Sequence, residues 1–348
     1  MSRIEIVKES IQLIKMSDEE YFSSKYKGYV SNSGLGLIDP KEDGSGEKFE
    51  SGFKSAYSSS FELGSAVHAM LLQKEFFTIS HIRKPSGKLG VFAEQVFKLR
   101  LEGYTIQNAI DKASLVADYY VGKLSKVRLT TAIRSSISFY LSRIKLVEEL
   151  GKQTLFLSDA LADKYEFCML GLNGNSKIQE LLNPGEEELV NVEIFNEYAI
   201  FCEVDFTDDD GVVTRVKLKG KLDNFTINHD SEEVTLNDLK TTGKPAKFFM
   251  GNYVKVINEE YEESDVWVNG SFQKYHYGRQ MGVYGWLLQC ALKQLYNLDY
   301  KLKVNMLVVE TIPNYNSKVF VVNGNYIKEG LKEFKQLLTL VVKWVKLK

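Results

Sequence analysis

The residues best suited to chemistry lie between Lys217 and Thr242, in KLKGKLDNFTINHDSEEVTLNDLKTT. Val216, Leu218, Gly220 and Leu222 alternate with Lys217, Lys219, Lys221 and Asp223, the period of a half-buried strand. Asn228, His229, Asp230 and Ser231 are turn residues, and Val234 to Thr241 supplies a return strand. Residues two apart on a strand share a face, so Asp238 and Lys240 project together while Leu239 points away. Asp223, near the end of the partner strand, can converge on the same spot. Two carboxylates beside one lysine at a sheet end suit a divalent metal and a water that must lose a proton. Taken alone, Asp238-Leu239-Lys240 reads first as a solvated salt bridge.

The elements around this stretch carry further motifs. In chain order they are Gly64-Ser-Ala-Val-His68, Gly220-Lys-Leu-Asp223, Asp238-Leu-Lys240-Thr241 and Gln280-Met-Gly-Val-Tyr284. This series, Gly-x-x-x-His, Gly-x-x-Asp, Asp-x-Lys-Thr and Gln-x-x-x-Tyr, resembles the RecB-like branch of the PD-(D/E)XK nuclease superfamily. Ser31-Asn-Ser33-Gly-Leu35 and FELGSAVHAMLLQKEFF are similar to the exonuclease VIII (RecE-type) group of phages and prophages. The likeness spans residues 17 to 345, with a poorly matched helical stretch from 90 to 150.

The resemblance implies an α/β fold with a PD-(D/E)XK (restriction-endonuclease-like) core, a mixed central β-sheet flanked by helices and a helical insertion. It implies a metal-dependent exonuclease acting on duplex DNA ends in recombination or DNA processing. Asp223 and Asp238 would hold one or two Mg²⁺ or Mn²⁺ ions, with the Leu239 carbonyl as a further oxygen. His68 would help through a neutral imidazole, although a lone histidine on such a helix is ordinarily a packed residue. Glu197, in EYAIF, falls where the group carries an auxiliary glutamate; Glu193 is the alternative. Lys240 would orient or help deprotonate the attacking water, with a pKa lowered by desolvation and the adjacent cation. Gln280 and Tyr284, one helical turn apart, would position DNA and the active site. Ser31, Ser33, Lys217, Lys219, Lys221 and Arg279 are the DNA-contacting candidates, and an exposed lysine edge accounts for the three lysines equally well. An annealing protein for the exposed strand and a homo-oligomeric ring are the implied partners. A structure-specific or defence-type endonuclease and a catalytically silent DNA-binding relative are the competing readings.

Composition sets the bounds. The 348 residues are 44% hydrophobic and 26% charged, an ordinary globular balance. Forty-four Lys and Arg against 46 Asp and Glu give a net charge of −2, so any positive surface for nucleic acid is local. Cys168, Cys202 and Cys290 are scattered thiols without a Cys-x-x-Cys, too few for an iron–sulfur cluster or a four-cysteine zinc site, and read as buried free cysteines. The sequence contains no Walker motif, no apolar run of transmembrane length and no secretory signal, which points to a cytoplasmic protein without its own ATP-driven unwinding.

Along the chain, Ile4, Val7, Ile11 and Ile14 recur at helical spacing, and Ser17 with Glu20 suggests a capping box for a short helix. Residues 29 to 60 read as Ser/Gly-rich loop. Residues 61 to 77 form a helix, and 90 to 150 read as helical and basic through Lys123, Lys126, Arg128, Arg134, Arg143 and Lys145. The sheet begins at Val190, and Asp208-Asp-Asp-Gly211 is a tight turn. Aromatic residues within 243 to 271 could stack on bases or anchor a loop. A helix from Tyr275 to Tyr296, two strands and a final helix complete a single domain, with 1–60, a helical insertion at 90–185 and a catalytic sheet at 190–348.

Overall fold

A computed structural model of the chain describes residues 3–52, 59–80, 87–116, 151, 153–157, 159–184, 191–257 and 263–347. In order, the elements are β1 (Arg3–Ile6), β2 (Gln12–Lys15), α1 (Asp18–Tyr21), α2 (Asn32–Gly36), α3 (Gly46–Ser51) and α4 (Ser59–Leu72). Next come β3 (Phe77–Ser80), α5 (Gly87–Leu101), α6 (Ile106–Val116), β4 (Gln153–Phe156), α7 (Asp159–Asn173) and α8 (Ser176–Leu182). The strands β5 (Val192–Thr207), β6 (Val213–Asn228) and β7 (Glu233–Thr242) follow, then the pair β8 (Asn252–Ile257) and β9 (Glu263–Val268). The chain finishes with α9 (Ser271–Lys274), α10 (Tyr277–Tyr296), β10 (Lys301–Glu310), β11 (Ser317–Val321) and α11 (Gly324–Lys346).

Backbone packing divides the chain into two compact units, Met1–Ala56 with Cys168–Lys348, and Tyr57–Phe167. In the second unit, α5 and α6 close on Phe92, Val96, Phe97, Ala109 and Ala113, and β3 pairs with β4 in parallel. The basic residues Lys123 to Lys145 lie outside the described residues.

The first unit is built on a mixed sheet in the order β1-β5-β6-β7-β10-β11, with β2 also pairing with β5. All its pairings are antiparallel except β7 with β10, where Asp238 lies beside Met306 and Lys240 beside Val308. Helices α10 and α11 cover one face. In α11, Gly330, Phe334, Leu337, Leu338, Val341 and Val342 are buried, the i, i+4, i+7, i+8 stripe of an amphipathic helix. Asn323 caps it, its Oδ1 accepting from the Asn325 and Tyr326 N–H groups. Gly330 is fixed by close approach, since a Cβ there would lie 2.1 Å from the Gly278 carbonyl oxygen of α10.

The expected first helix is absent. Ile4 and Leu13 sit on β1 and β2, paired with Phe206 and Ile200 of β5. The helical spacing of four apolar residues is overridden by the hydrogen-bonding edge of a 16-residue strand, which β-branched isoleucines suit. Glu233–Asn237 pairs with β6 as expected, and Ser17 does cap α1 by accepting from Glu20 N–H. The stretch read as loop contains α2 and α3. The Asp208–Gly211 turn closes through Asp208 Oδ1, which accepts from the Asp210 and Val212 N–H groups. No helix among the described residues is long and apolar enough to cross a membrane.

Cys168 and Cys202 are buried thiols, the first donating to the Glu310 carbonyl at 3.4 Å, and Cys290 is partly buried. Burial, with smaller effects from Cys290 and Glu203, pushes the Cys202 thiol from 9.0 up to about 12. Such a group contributes fully to stability below its unfolded value, and the contribution disappears as pH climbs from 9.0 through about 12. Wild type should therefore exceed Cys202→Ala by about 1–2 kcal/mol near neutral pH through lost packing. Thermal melts should show that margin shrinking at about pH 10.5; a margin independent of pH would contradict the burial.

Candidate active site

The sheet is interrupted where the acidic residues stand. β6 and β7 pair from Asn228–Glu233 to Asn224–Asn237, and the ladder then stops, with Asp223 and Asp238 as the next residues on each strand. In β5, the ladder to β6 skips Glu197, which adopts a left-handed backbone (φ 59°) opposite Asp223. Alternation slips at the same level on both strands. Phe195 and Tyr198, three apart, make a ring contact at 5.2 Å, and Leu222 and Phe225 both belong to one core cluster. A strand that kept strict alternation would hold only one residue of each pair on that face. The slip gives Asp223 and Glu197 a place at the parting of the strands.

Asp223 Oδ2 accepts from the Leu239 N–H at 2.8 Å and lies 4.0 Å from Lys240 Nζ. Lys240 Nζ pairs with Asp238 Oδ2 and donates to the Leu239 carbonyl at 3.3 Å. Asp238 is 1% exposed, and Gln280 Nε2 donates to its Oδ1 at 2.9 Å. Carboxylate oxygens of Glu197 and Asp223 approach within 4.8 Å, and Glu197 Oε2 is 2.6 Å from Lys221 Nζ. Asp223, Asp238, Lys240, Gln280 and Glu197 are thus brought together within the first unit.

Tyr284 joins them through packing. Its ring lies over Gly220, where an added Cβ would come within 3.1 Å of Cε1 and 3.2 Å of Cδ1. The glycine of Gly-x-x-Asp leaves room for the tyrosine of Gln-x-x-x-Tyr. Burial raises the Tyr284 phenol well above its ordinary 10.0, so it stays a neutral hydroxyl. Tyr277, which the sequence reading did not single out, places its ring 5.4 Å from Lys240 Nζ, and burial pushes its phenol up to about 12. The i, i+3, i+7 spacing of Tyr277, Gln280 and Tyr284 along one helix face is the signal that would have found it.

Burial pulls the Lys240 ammonium down, but Asp238 and Asp223 outweigh that and hold it above the ordinary 10.5. A desolvated lysine loses its charge only where carboxylates do not surround it. Lys221 is likewise raised; burial opposes this, and Glu197 and Asp18 overcome it.

Several expected DNA contacts are engaged inside the fold. Arg279 is 3% exposed; its Nε donates to Asn32 Oδ1 at 3.0 Å, and its Nη1 donates to Glu333 Oε1 at 3.0 Å and lies 3.5 Å from Asp39 Oδ2. Lys219, also buried, donates to the Tyr21 carbonyl at 2.9 Å with its Nζ over the Tyr21 ring. Lys221 is held by Asp18 and Glu197. A lysine or arginine with buried, satisfied donors has little left to offer a phosphate. Lys217 is half-exposed beside Glu203 and Tyr29. Ser31 caps α2 by accepting from the Gly34 N–H and lies 3.1 Å from Ser33 Oγ. Glu193 pairs with His229 at 2.7 Å, away from the cluster that Glu197 joins. His68 is half-buried on α4, in the second unit.

The donors at the strand parting fit a hard divalent cation: they are carboxylate oxygens and a backbone carbonyl, and an ammonium already sits against two of the carboxylates. A second cluster, Asp39, Glu42 and His276, also brings donor atoms within 4.8 Å, but Arg279 supplies a cation there and His276 is paired with Glu42 and Glu333. A cavity of about 430 Å³ beside that cluster is lined by Phe272, Tyr326 and Gln336 among others, and by none of the residues at the strand parting.

The Gly220–Tyr284 contact is testable by a double-mutant cycle. Gly220→Ala should destabilise the chain by about 1–3 kcal/mol through overpacking. Most of that cost should vanish in a Tyr284→Ala background, measured by denaturant unfolding. Equal costs in both backgrounds would place the strain elsewhere.

No protein-family model matches the chain, and no curated protein matches it. Among solved structures it is similar to that of a candidate exonuclease from Eubacterium rectale, at 12% identity, covering 95% of this chain and 86% of that one with a TM-score of 0.45. A superposition that loose carries no argument about chemistry, which rests on the residues gathered at the strand parting.

Proposed function

We propose that the chain is a metal-dependent deoxyribonuclease of the PD-(D/E)XK type, an exonuclease that hydrolyses phosphodiester bonds from duplex DNA ends. The observation that supports this most is the convergence of Asp223, Asp238, Lys240 and Gln280 where β6 and β7 part. Carboxylates, a lysine and an amide from β6, β7 and α10 meet there, the residue types that phosphodiester hydrolysis uses.

Asp223 and Asp238 are the proposed holders of Mg²⁺ or Mn²⁺, one or two ions, with the Leu239 carbonyl and Glu197 adjoining; bound metal would neutralise phosphate charge and acidify water. His68 is proposed as a ligand on its sequence motif alone. Lys240 orients the attacking water and balances charge on the carboxylates. Gln280 fixes the rotamer of Asp238 by its hydrogen bond, and Tyr284 and Tyr277 shut bulk water out of one side of the site. Ser31, Ser33 and Lys217 remain the proposed DNA contacts of those named from the sequence, because Lys219, Lys221 and Arg279 are engaged within the fold. A single-strand annealing partner and a homo-oligomer belong to the same proposal.

The test sets wild type and Lys240→Ala on matched linear and covalently closed duplexes with Mg²⁺. Wild type should release nucleotides from the linear duplex alone, and stop in chelator. Lys240→Ala should lose about a hundredfold or more in rate while still melting cooperatively above the assay temperature. Cleavage of the closed circle would instead make this an endonuclease, and undiminished cutting by Lys240→Ala would remove the lysine from the mechanism.

A further inference from the structure

A chain of amides crosses the sheet beside the carboxylates. Asn305 Nδ2 donates to Asn237 Oδ1 at 2.9 Å, Asn237 Nδ2 to Asn224 Oδ1 at 2.7 Å, and Asn224 Nδ2 to Asn196 Oδ1 at 2.7 Å. The four asparagines stand on β10, β7, β6 and β5 and are direct cross-strand partners. Asn224, Asn237 and Asn305 are buried, at 1%, 0% and 6% exposure. Three of the four are chain neighbours of the proposed carboxylates: Asn196 precedes Glu197, Asn224 follows Asp223, and Asn237 precedes Asp238.

Hydrophobic patterning cannot set this register alone. A strand repeats every two residues, so a slip by one would expose the core face, but a slip by two keeps every apolar residue inward. Shifting β7 by two against β6 would set Asn237 opposite Thr226 or Leu222, and shifting it against β10 would set it opposite Lys303 or Leu307. Either slip strands buried amides without partners, which is costly inside a sheet. The amide chain therefore forbids the displacements that the apolar pattern would tolerate. Shifting β7 against β6 would carry Asp238 out of line with Asp223 and Glu197.

We propose that Asn196, Asn224 and Asn237, tied to β10 through Asn305, are positioning residues that set the alignment of Glu197, Asp223 and Asp238, and with it the site's affinity for a divalent cation and its turnover. The turnover part rests on the nuclease reading; the cation part is read independently.

The experiment compares full-length wild type, Asn237→Leu and Leu338→Ala. Asn237→Leu removes two of the three amide bonds at similar side-chain volume. Leu338→Ala removes core packing on α11, an element that carries none of the four asparagines. Mn²⁺ affinity by calorimetry, kcat and KM on a linear duplex, and Tm are recorded for each. In Asn237→Leu, Mn²⁺ affinity and kcat should each fall about tenfold or more, as they do when a metal site loses its supporting shell, with KM within about threefold. Leu338→Ala should lower Tm and leave Mn²⁺ affinity within about threefold of wild type. Wild-type affinity in Asn237→Leu, or equal losses of affinity in Leu338→Ala at matched Tm, would overturn the proposal. If Asn237→Leu fails to fold, Asn196→Leu, which removes the last acceptor beside Glu197, is read by the same criteria. A wild type that binds Mn²⁺ but cuts no DNA sinks the nuclease reading and leaves the ladder to be judged by affinity; one that binds no Mn²⁺ overturns the ladder proposal as well.

Discussion

Everything at the site depends on one backbone N–H. Where β6 and β7 stop pairing, the Leu239 N–H faces a gap in the sheet and must find an acceptor, because a buried peptide donor without one is costly. Asp223 supplies it from the strand that has just turned away. The same bond that repairs the sheet anchors the carboxylate. With the ladder ended, the side chains of Asp223 and Asp238 have space between the strands that a continuous sheet would close. Glu197, held left-handed on β5, extends the opening by one strand.

Charge is the second constraint. Three carboxylates that converge within a partly buried space repel one another and lose hydration. Two lysines offset this: Lys221 sits against Glu197, and Lys240 lies against Asp238 and near Asp223. Each lysine is in turn enclosed by burial that pulls its pKa down, and the carboxylates outweigh it, so each group is stabilised by the other. The net charge of −2 over the chain hides this arrangement, because the site is balanced locally. Lys221 lies on the strand whose lysine pattern read as a DNA-facing edge, and its carboxylate partners come from α1 and β5, distant in sequence.

The legible part of this molecule was local. Alternation along Val216–Asp223 and Val234–Thr241, the turn between them, the Asp208–Gly211 turn and the amphipathic last helix are all written in near-neighbour spacing, and the structure has them. So is the sharing of a face by Asp238 and Lys240. What was not legible depends on pairing across long separations. Ile4 and Ile14 look helical until β5 offers an edge. Arg279 looks like a surface cation until Asn32, Asp39 and Glu333 are brought around it. The slip of alternation at Asp223 needs Glu197, 26 positions earlier, to slip with it. Asn196, Asn224, Asn237 and Asn305 are unremarkable polar residues in sequence, and become a ladder only when four strands are in register.

A common device underlies these cases. At four positions of the candidate site, one residue faces the site and its immediate neighbour is tied into the fold. Asn196 and Glu197, Asn224 and Asp223, and Asn237 and Asp238 are such pairs. Arg279 and Gln280 form a fourth: the arginine binds the start of α10 to α2 and α11, and the glutamine one residue on holds Asp238. Asn237 and Asp238 point to opposite faces of β7, Glu197 and Asp223 stand where the alternation of β5 and β6 slips, and adjacent residues on a helix diverge by about 100°. An anchor one residue away therefore restrains the backbone of its neighbour without occupying the site. A side chain set on a strand or helix and fixed in this way is held more closely than one on a loop. The buried arginine that looked like a DNA contact is thus better understood as part of what holds Gln280 in place.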